Sequence, residues 1–292
     1  MKTKLKNILI VSLIVVIFAT LSGCTLINRF KGEPVPISYG LVSEATSNPD
    51  VLGNKSNAVS AVLGGNVIVL ATVGGTINAG SGFIIDSERG LIVTNAHVVF
   101  DANMTNSARS IKVKLLNKEF LDGDSEADQY IERAASLAAY NKIYDVAILK
   151  IDASLTKLIG EIKFAKSKDF VYGQETFFIG NPEGIGISVA SSLVSNPNYI
   201  MSYKKNFFFE EEVKIAYIQI DGNVNHGNSG GALYDLKGRA MGIVSMRREN
   251  TGETQAIVQG IGFVLRSDEV VKVLTKFYQS KGWSVTESTF YA

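Results

Sequence analysis

Cysteine is almost absent. The 292-residue chain has one, Cys24, so no internal disulfide is available and the fold must rest on its core. Histidine is nearly as scarce, with only His97 and His226. Zinc sites use three or four protein ligands, so no metal is expected, and no cofactor. Net charge is also lacking: 29 Lys+Arg stand against 28 Asp+Glu. Nucleic-acid partners would call for a basic excess or stripe, so none is expected. Proline is rare at 5, whereas glycine reaches 27 and apolar residues 46%. That mixture suits short strands joined by tight turns around a sizeable core. No repeat of solenoid type is visible.

The N-terminus has a processing texture. Lys2, Lys4 and Lys6 precede an apolar run of 13 residues, Ile8–Thr20. It is short for a membrane span and suited to a signal-peptide core. It ends in Leu21-Ser22-Gly23-Cys24, which resembles a bacterial lipobox. On that resemblance residues 1–23 are a signal peptide, and Cys24 carries the lipid that holds the protein to the membrane. An uncleaved N-terminal anchor is the alternative. Both place the remainder on the extracytoplasmic face. Residues 24–56, with Pro34, Pro36 and Pro49, read as a tether.

From Asn57 onward short strands dominate. GFIID (82–86) and GLIVT (90–94) flank the polar turn Ser87-Glu88-Arg89, a hairpin signature. IKVKLL (111–116) alternates, and VAILKI (146–151) is a further strand. The second half repeats the texture at 176–180, 187–194, 213–220, 240–246 and 260–265. Residues 268–280 place Val270, Val271, Val273, Leu274 and Phe277 near one helical face, with Gly282 as the stop. Many strands and one terminal helix point to an all-β sandwich or closed barrel. Residues 122–128 and 196–212 read as insertions. The second holds Phe207-Phe208-Phe209 beside three glutamates, as a mobile binding loop or a locally packed hairpin.

Three motifs carry chemistry. In Gly227-Asn228-Ser229-Gly230-Gly231, Ser229 is a candidate nucleophile, which needs a base to take its proton. Flanking glycines let the backbone aim N–H groups at a developing oxyanion. The candidate oxyanion hole is Gly227-Asn228-Ser229, with the N–H groups of Gly227 and Ser229 as donors. Thr94-Asn95-Ala96-His97 supplies the candidate base, although a lone histidine in such a turn is more often structural. Tyr144-Asp145-Val146 supplies an acid to orient the imidazole, with Asp101 and Asp152 as alternatives. The chain order His97, Asp145, Ser229 is that of the chymotrypsin architecture.

Taken with GSGFIID (80–86), TNAHVV (94–99), IGNPEG (179–184) and GIGFVL (260–265), these motifs resemble the HtrA/Deg type of trypsin-like serine proteases. The resemblance covers roughly residues 57–280. It implies two packed six-stranded β-barrels of chymotrypsin type with a C-terminal helix. Residues 57–170 would hold His97 and Asp145, residues 171–285 would hold Ser229 and the helix, and 286–292 would be a tail. It further implies endopeptidase activity on polypeptides. Ser245-Met246-Arg247 would pair with the substrate backbone, and Asn223, Val244 and Ile261 would lie near the pocket for the residue before the cut. With no acid at the pocket base, small or medium aliphatic residues are expected there. Asn228 stands where digestive trypsins use an aspartate to bind a new N-terminus, so no such activation step is expected. His226 is expected at a pocket rim or on the surface. No PDZ domain is expected past the helix, and oligomerisation has no support in the sequence. The alternatives are a catalytically silent binder of polypeptides on the same scaffold, and an esterase.

Overall fold

The computed structural model describes residues 52–124, 126–156, 160–204, 212–245 and 260–292. Cys24 and the lipobox-like LSGC, the part of the expected tether up to residue 51, Phe207–Phe209, Met246 and Arg247 lie outside them. Helix α1 (Leu52–Val62) leads into two six-stranded antiparallel barrels. The first comprises β1 (Asn66–Val73), β2 (Thr76–Asp86), β3 (Leu91–Thr94), β4 (Ser110–Leu116), β5 (Tyr130–Asn141) and β6 (Val146–Lys150). It closes in the order β1-β2-β3-β6-β5-β4. The second comprises β7 (Glu175–Gly180), β8 (Ser188–Lys204), β9 (Glu212–Ile220), β10 (Ala232–Asp235), β11 (Ala240–Ser245) and β12 (Gly262–Arg266). It closes as β10-β11-β12-β9-β8-β7. Helix α2 (Ser267–Ser280) follows β12. The fold is the two-barrel chymotrypsin type expected of the sequence.

Strand alternation explains the packing. Successive side chains point to opposite faces. Ile84, Ile92, Ala147 and Leu149 therefore enter the first barrel with Val67, Val69, Val113 and Leu115. Their neighbours Phe83, Ile85, Leu91, Val93, Val146 and Ile148 face outward into a second apolar layer. That layer also takes Phe177, Ile179, Tyr234, Ile243 and Leu265 from the second barrel, and Val270, Val273, Leu274 and Phe277 from α2. The interior of the second barrel holds Phe178, Val194, Ile218, Ile220, Leu233 and Val264. Strands buried on both faces read as unbroken apolar runs, which is why LIVT and AMGIVS do not alternate.

Specific polar contacts lock this layer. The Tyr234 hydroxyl donates to Asn66 Oδ1 across the barrels at 2.8 Å, and both residues are buried. The Tyr278 hydroxyl of α2 donates to Asp86 Oδ2 at 2.6 Å, and Arg89 reaches the same oxygen at 2.8 Å. The Arg89 guanidinium also lies over the Trp283 ring, 4.6 Å from its centroid. Burial works against ionisation of Asp86, yet the bonds from Tyr278 and Arg89 hold its carboxyl below the usual range. Burial and the adjacent Asp86 carboxylate push the Tyr278 hydroxyl well up, so it stays a neutral donor.

Much of the 196–212 stretch is strand. β8 runs to Lys204 through irregularities between Val194 and Tyr199, and Tyr203 pairs with Val213.

Candidate active site

Neighbouring strand ends create the first half of the site. Thr94, at the end of β3, pairs with Ala147, near the start of β6. The residues just beyond these ends are therefore close in space. His97 lies in a single 3-10 turn, Ala96–Val98, after β3. Asp145 immediately precedes β6 and adopts φ 54°. Aspartate is one of the few non-glycine residues that tolerates this region. Five contacts hold it there. Its C=O accepts the Ala96 N–H at 3.1 Å and the Asn95 side-chain amide at 2.8 Å. Its Oδ1 accepts the His97 backbone N–H at 2.9 Å, and its Oδ2 lies 2.7 Å from His97 Nδ1. The Ser245 hydroxyl donates to Oδ2 at 3.3 Å. Asp145 is buried, while the His97 side chain keeps 38% exposure. The imidazole can therefore be held on one edge and meet substrate on the other.

The second half is the loop before β10. The Asn228 N–H donates to the Asn225 C=O at 3.1 Å, and Gly227 has φ 90°. A positive φ at the third residue defines residues 225–228 as a type II turn. A Cβ at Gly227 would stand 2.0 Å from the Asn181 carbonyl oxygen, so glycine is obligatory. The His226 C=O accepts the Glu183 N–H at 2.7 Å. In a trans peptide the C=O and N–H point in opposite directions, so the Gly227 N–H is turned away from Glu183. Among the described residues neither it nor the Ser229 N–H has a hydrogen-bond partner. Asn228 is buried, its Oδ1 occupying space that a Cβ at Gly180 would need.

Ser229 is 5% exposed, and its hydroxyl makes no hydrogen bond to His97 among the described residues. Long or open catalytic contacts are common before substrate binds.

Other candidate residues have varied placements. Asn223 is exposed, and Ile261, immediately before β12, is 39% exposed. Val244 is fully buried, its C=O accepting the Gly230 N–H and its N–H bonding the Gly231 C=O. Ser245 ends β11 and is buried. Asp101 is committed to a local turn, accepting from Thr105 and Asn106 at 2.6 and 3.1 Å. Asp152 accepts from Ser154, two residues along. Asp145 is thus the acid beside His97. His226 is exposed.

Sequence reasoning overlooked Asn95, the Ser245 hydroxyl, Thr94 and Ser81. Asn95 sits inside the TNAH motif, and its bond to the Asp145 carbonyl spans 50 residues. Ser81 lies inside GSG, where the flanking glycines drew the attention. A motif shows which residues stand together in the chain, not what they meet across the fold.

A model of the trypsin-like peptidase domain matches residues 80–243, more than half of the chain. The chain belongs to the trypsin-like peptidase family. Human "Serine protease HTRA3" is 31% identical over 209 residues, 71% of this chain and 40% of that protein. The "Probable periplasmic serine endoprotease DegP-like" of Buchnera aphidicola is 32% identical over 200 residues, 68% of this chain and 36% of that protein. The chain therefore spans well under half the length of these curated relatives, which are of HtrA type. The crystal structure of the active form of the Mycobacterium tuberculosis protease Rv3671c superposes with a TM-score of 0.60. That likeness covers 84% of this chain and 92% of the other at 23% identity, and it concerns the fold.

Proposed function

We propose that this trypsin-like peptidase is a serine endopeptidase that cleaves through an acyl-enzyme. The observation that carries the reading is the pairing of Asp145 with both the backbone and the ring of His97, together with a turn whose Gly227 and Ser229 N–H groups have no partner among the described residues. Asp145 fixes the imidazole with Nδ1–H inward, which leaves Nε2 to take the proton of Ser229 as it attacks the carbonyl. The oxyanion settles on the N–H groups of Gly227 and Ser229. His97 returns the proton to the departing amine, and water, activated by the same imidazole, releases the acid product.

Substrate side chains before the cut are small or medium aliphatic in this reading. Val224 supports it: its Cγ2 stands 2.5 Å from where a Cβ at Gly262 would be, so the side chain narrows the space beside that strand. We further place the enzyme on the extracytoplasmic face, held by lipid on Cys24 and acting on misfolded or envelope polypeptides. The lipobox-like LSGC and the periplasmic DegP-like relatives support this. Digestion of unfolded casein tests the reading. The wild type should degrade it, and Ser229→Ala should be slower by several orders of magnitude. Equal rates refute the assignment. A silent binder on the same scaffold would retain casein without cutting it.

A further inference from the structure

Ser81 belongs to the first barrel, yet its N–H and its hydroxyl are spent on the loops of the second. It is 1% exposed. Its N–H donates to the Ser229 C=O at 2.8 Å. Its hydroxyl donates to the Gly227 C=O at 2.7 Å and accepts the Asn181 N–H at 2.8 Å. Its own C=O accepts the hydroxyl of Thr94, three residues before His97, at 2.6 Å. One residue thus ties the His97 strand, the 181–186 loop and both flanks of the Asn228–Ser229 peptide.

We propose that Ser81 is a positioning residue for the oxyanion hole, setting the direction of the Gly227 and Ser229 N–H groups from across the barrel interface. The peptide between His226 and Gly227 decides whether an N–H or a carbonyl faces the reacting oxygen. Type I and type II turns differ by a flip of that peptide. The Glu183 N–H holds the His226 carbonyl on one side of it. The Ser81 hydroxyl holds the Gly227 carbonyl on the other, and its bond from Asn181 fixes the same loop that carries Glu183. With the hydroxyl gone, the Gly227 carbonyl loses its buried donor and the Asn181 N–H its acceptor. Each is then free to recruit the other chain groups that a flipped turn offers. The close packing leaves no slack to absorb this. A Cβ at Gly230 would meet the Ser81 oxygen at 2.1 Å, and one at Gly231 would meet the Ser81 Cβ at 3.3 Å.

The inference rests on the peptidase reading, and the test separates the two. Ser81→Ala removes one oxygen and adds nothing. Three quantities are compared with wild type: KM and kcat on a peptide amide, and the affinity of a peptide boronate, whose tetrahedral adduct places an oxygen in the hole. We expect kcat and boronate affinity to fall together, by about ten- to a hundredfold, with KM unchanged. Ser81→Cys keeps a weak donor and should lie between the two. If Ser81→Ala does not fold, Ser81→Cys decides by the same parallel loss. Wild-type kcat and boronate affinity in the folded variants overturn the inference, as does a change in KM with kcat preserved. A wild type that neither turns over nor binds the boronate refutes the peptidase reading itself, and this inference falls with it.

Discussion

Asp145 grips His97 twice, taking the backbone N–H on Oδ1 at 2.9 Å and ring Nδ1 on Oδ2 at 2.7 Å. The two bonds use both carboxylate oxygens, so the residue sets the position of the histidine and the orientation of its ring together. Its own backbone is fixed by Ala96 and Asn95, which keeps a left-handed conformation that most side chains would avoid.

Asp145→Asn should therefore lower kcat by about four orders of magnitude at neutral pH while leaving the fold intact. An amide can still accept from the His97 backbone, but its NH2 group faces Nδ1 and selects the wrong tautomer. Initial rates on a peptide amide, with thermal melting as a control, check this. A loss of only a few fold would remove Asp145 from the mechanism.

Gly227→Ala should abolish most activity. The added methyl would lie 2.0 Å from the Asn181 oxygen, at a φ of 90° that alanine avoids. The turn must shift or flip, and one oxyanion donor moves away. Removal of one such donor costs about a hundred- to a thousandfold in kcat. A variant within threefold of wild type would show that the Gly227 N–H is not used.

Sequence patterns recorded the strands that are buried on both faces, and the hairpin around Ser87–Arg89. They concealed β5. Its YIERAASLAAYN stretch is rich in alanine and largely solvent-facing on one side. It is a strand because β4 and β6 would otherwise each leave a free edge, and pairing with both closes the barrel. Helix α1 was hidden for a related reason. Its LGNKSNAVSAV has no strong apolar face, and among its described side chains only Ala58 and Val62 are buried. At the site, Ser229, His97 and Asp145 were legible because their motifs are local and dense. Ser81 was not, because its bond to Gly227 spans 146 residues.

Far from the cleft, Asp86 predicts a pH-dependent stability. Its carboxyl is held below the ordinary 3.8 in the folded protein. A lowered value stabilises the fold above the unfolded pKa, and that contribution is lost as pH falls through the folded value. Asp86→Asn should thus cost roughly 1.5–3 kcal/mol at pH near 7, the usual worth of hydrogen bonds to a charged group. The difference should narrow as pH falls below the ordinary 3.8 and the wild-type carboxyl protonates. Denaturant midpoints for both proteins above and below that pH provide the check. A difference that stays constant into acid would contradict it.

The most direct test of the central claim is labelling with a fluorophosphonate, which reacts with a serine only when a neighbouring base and oxyanion donors activate it. The account predicts one phosphonyl adduct per chain, mapped by peptide mass to Ser229 and lost in His97→Ala. A folded wild type that stays unlabelled, or an adduct elsewhere that survives Ser229→Ala, would contradict it.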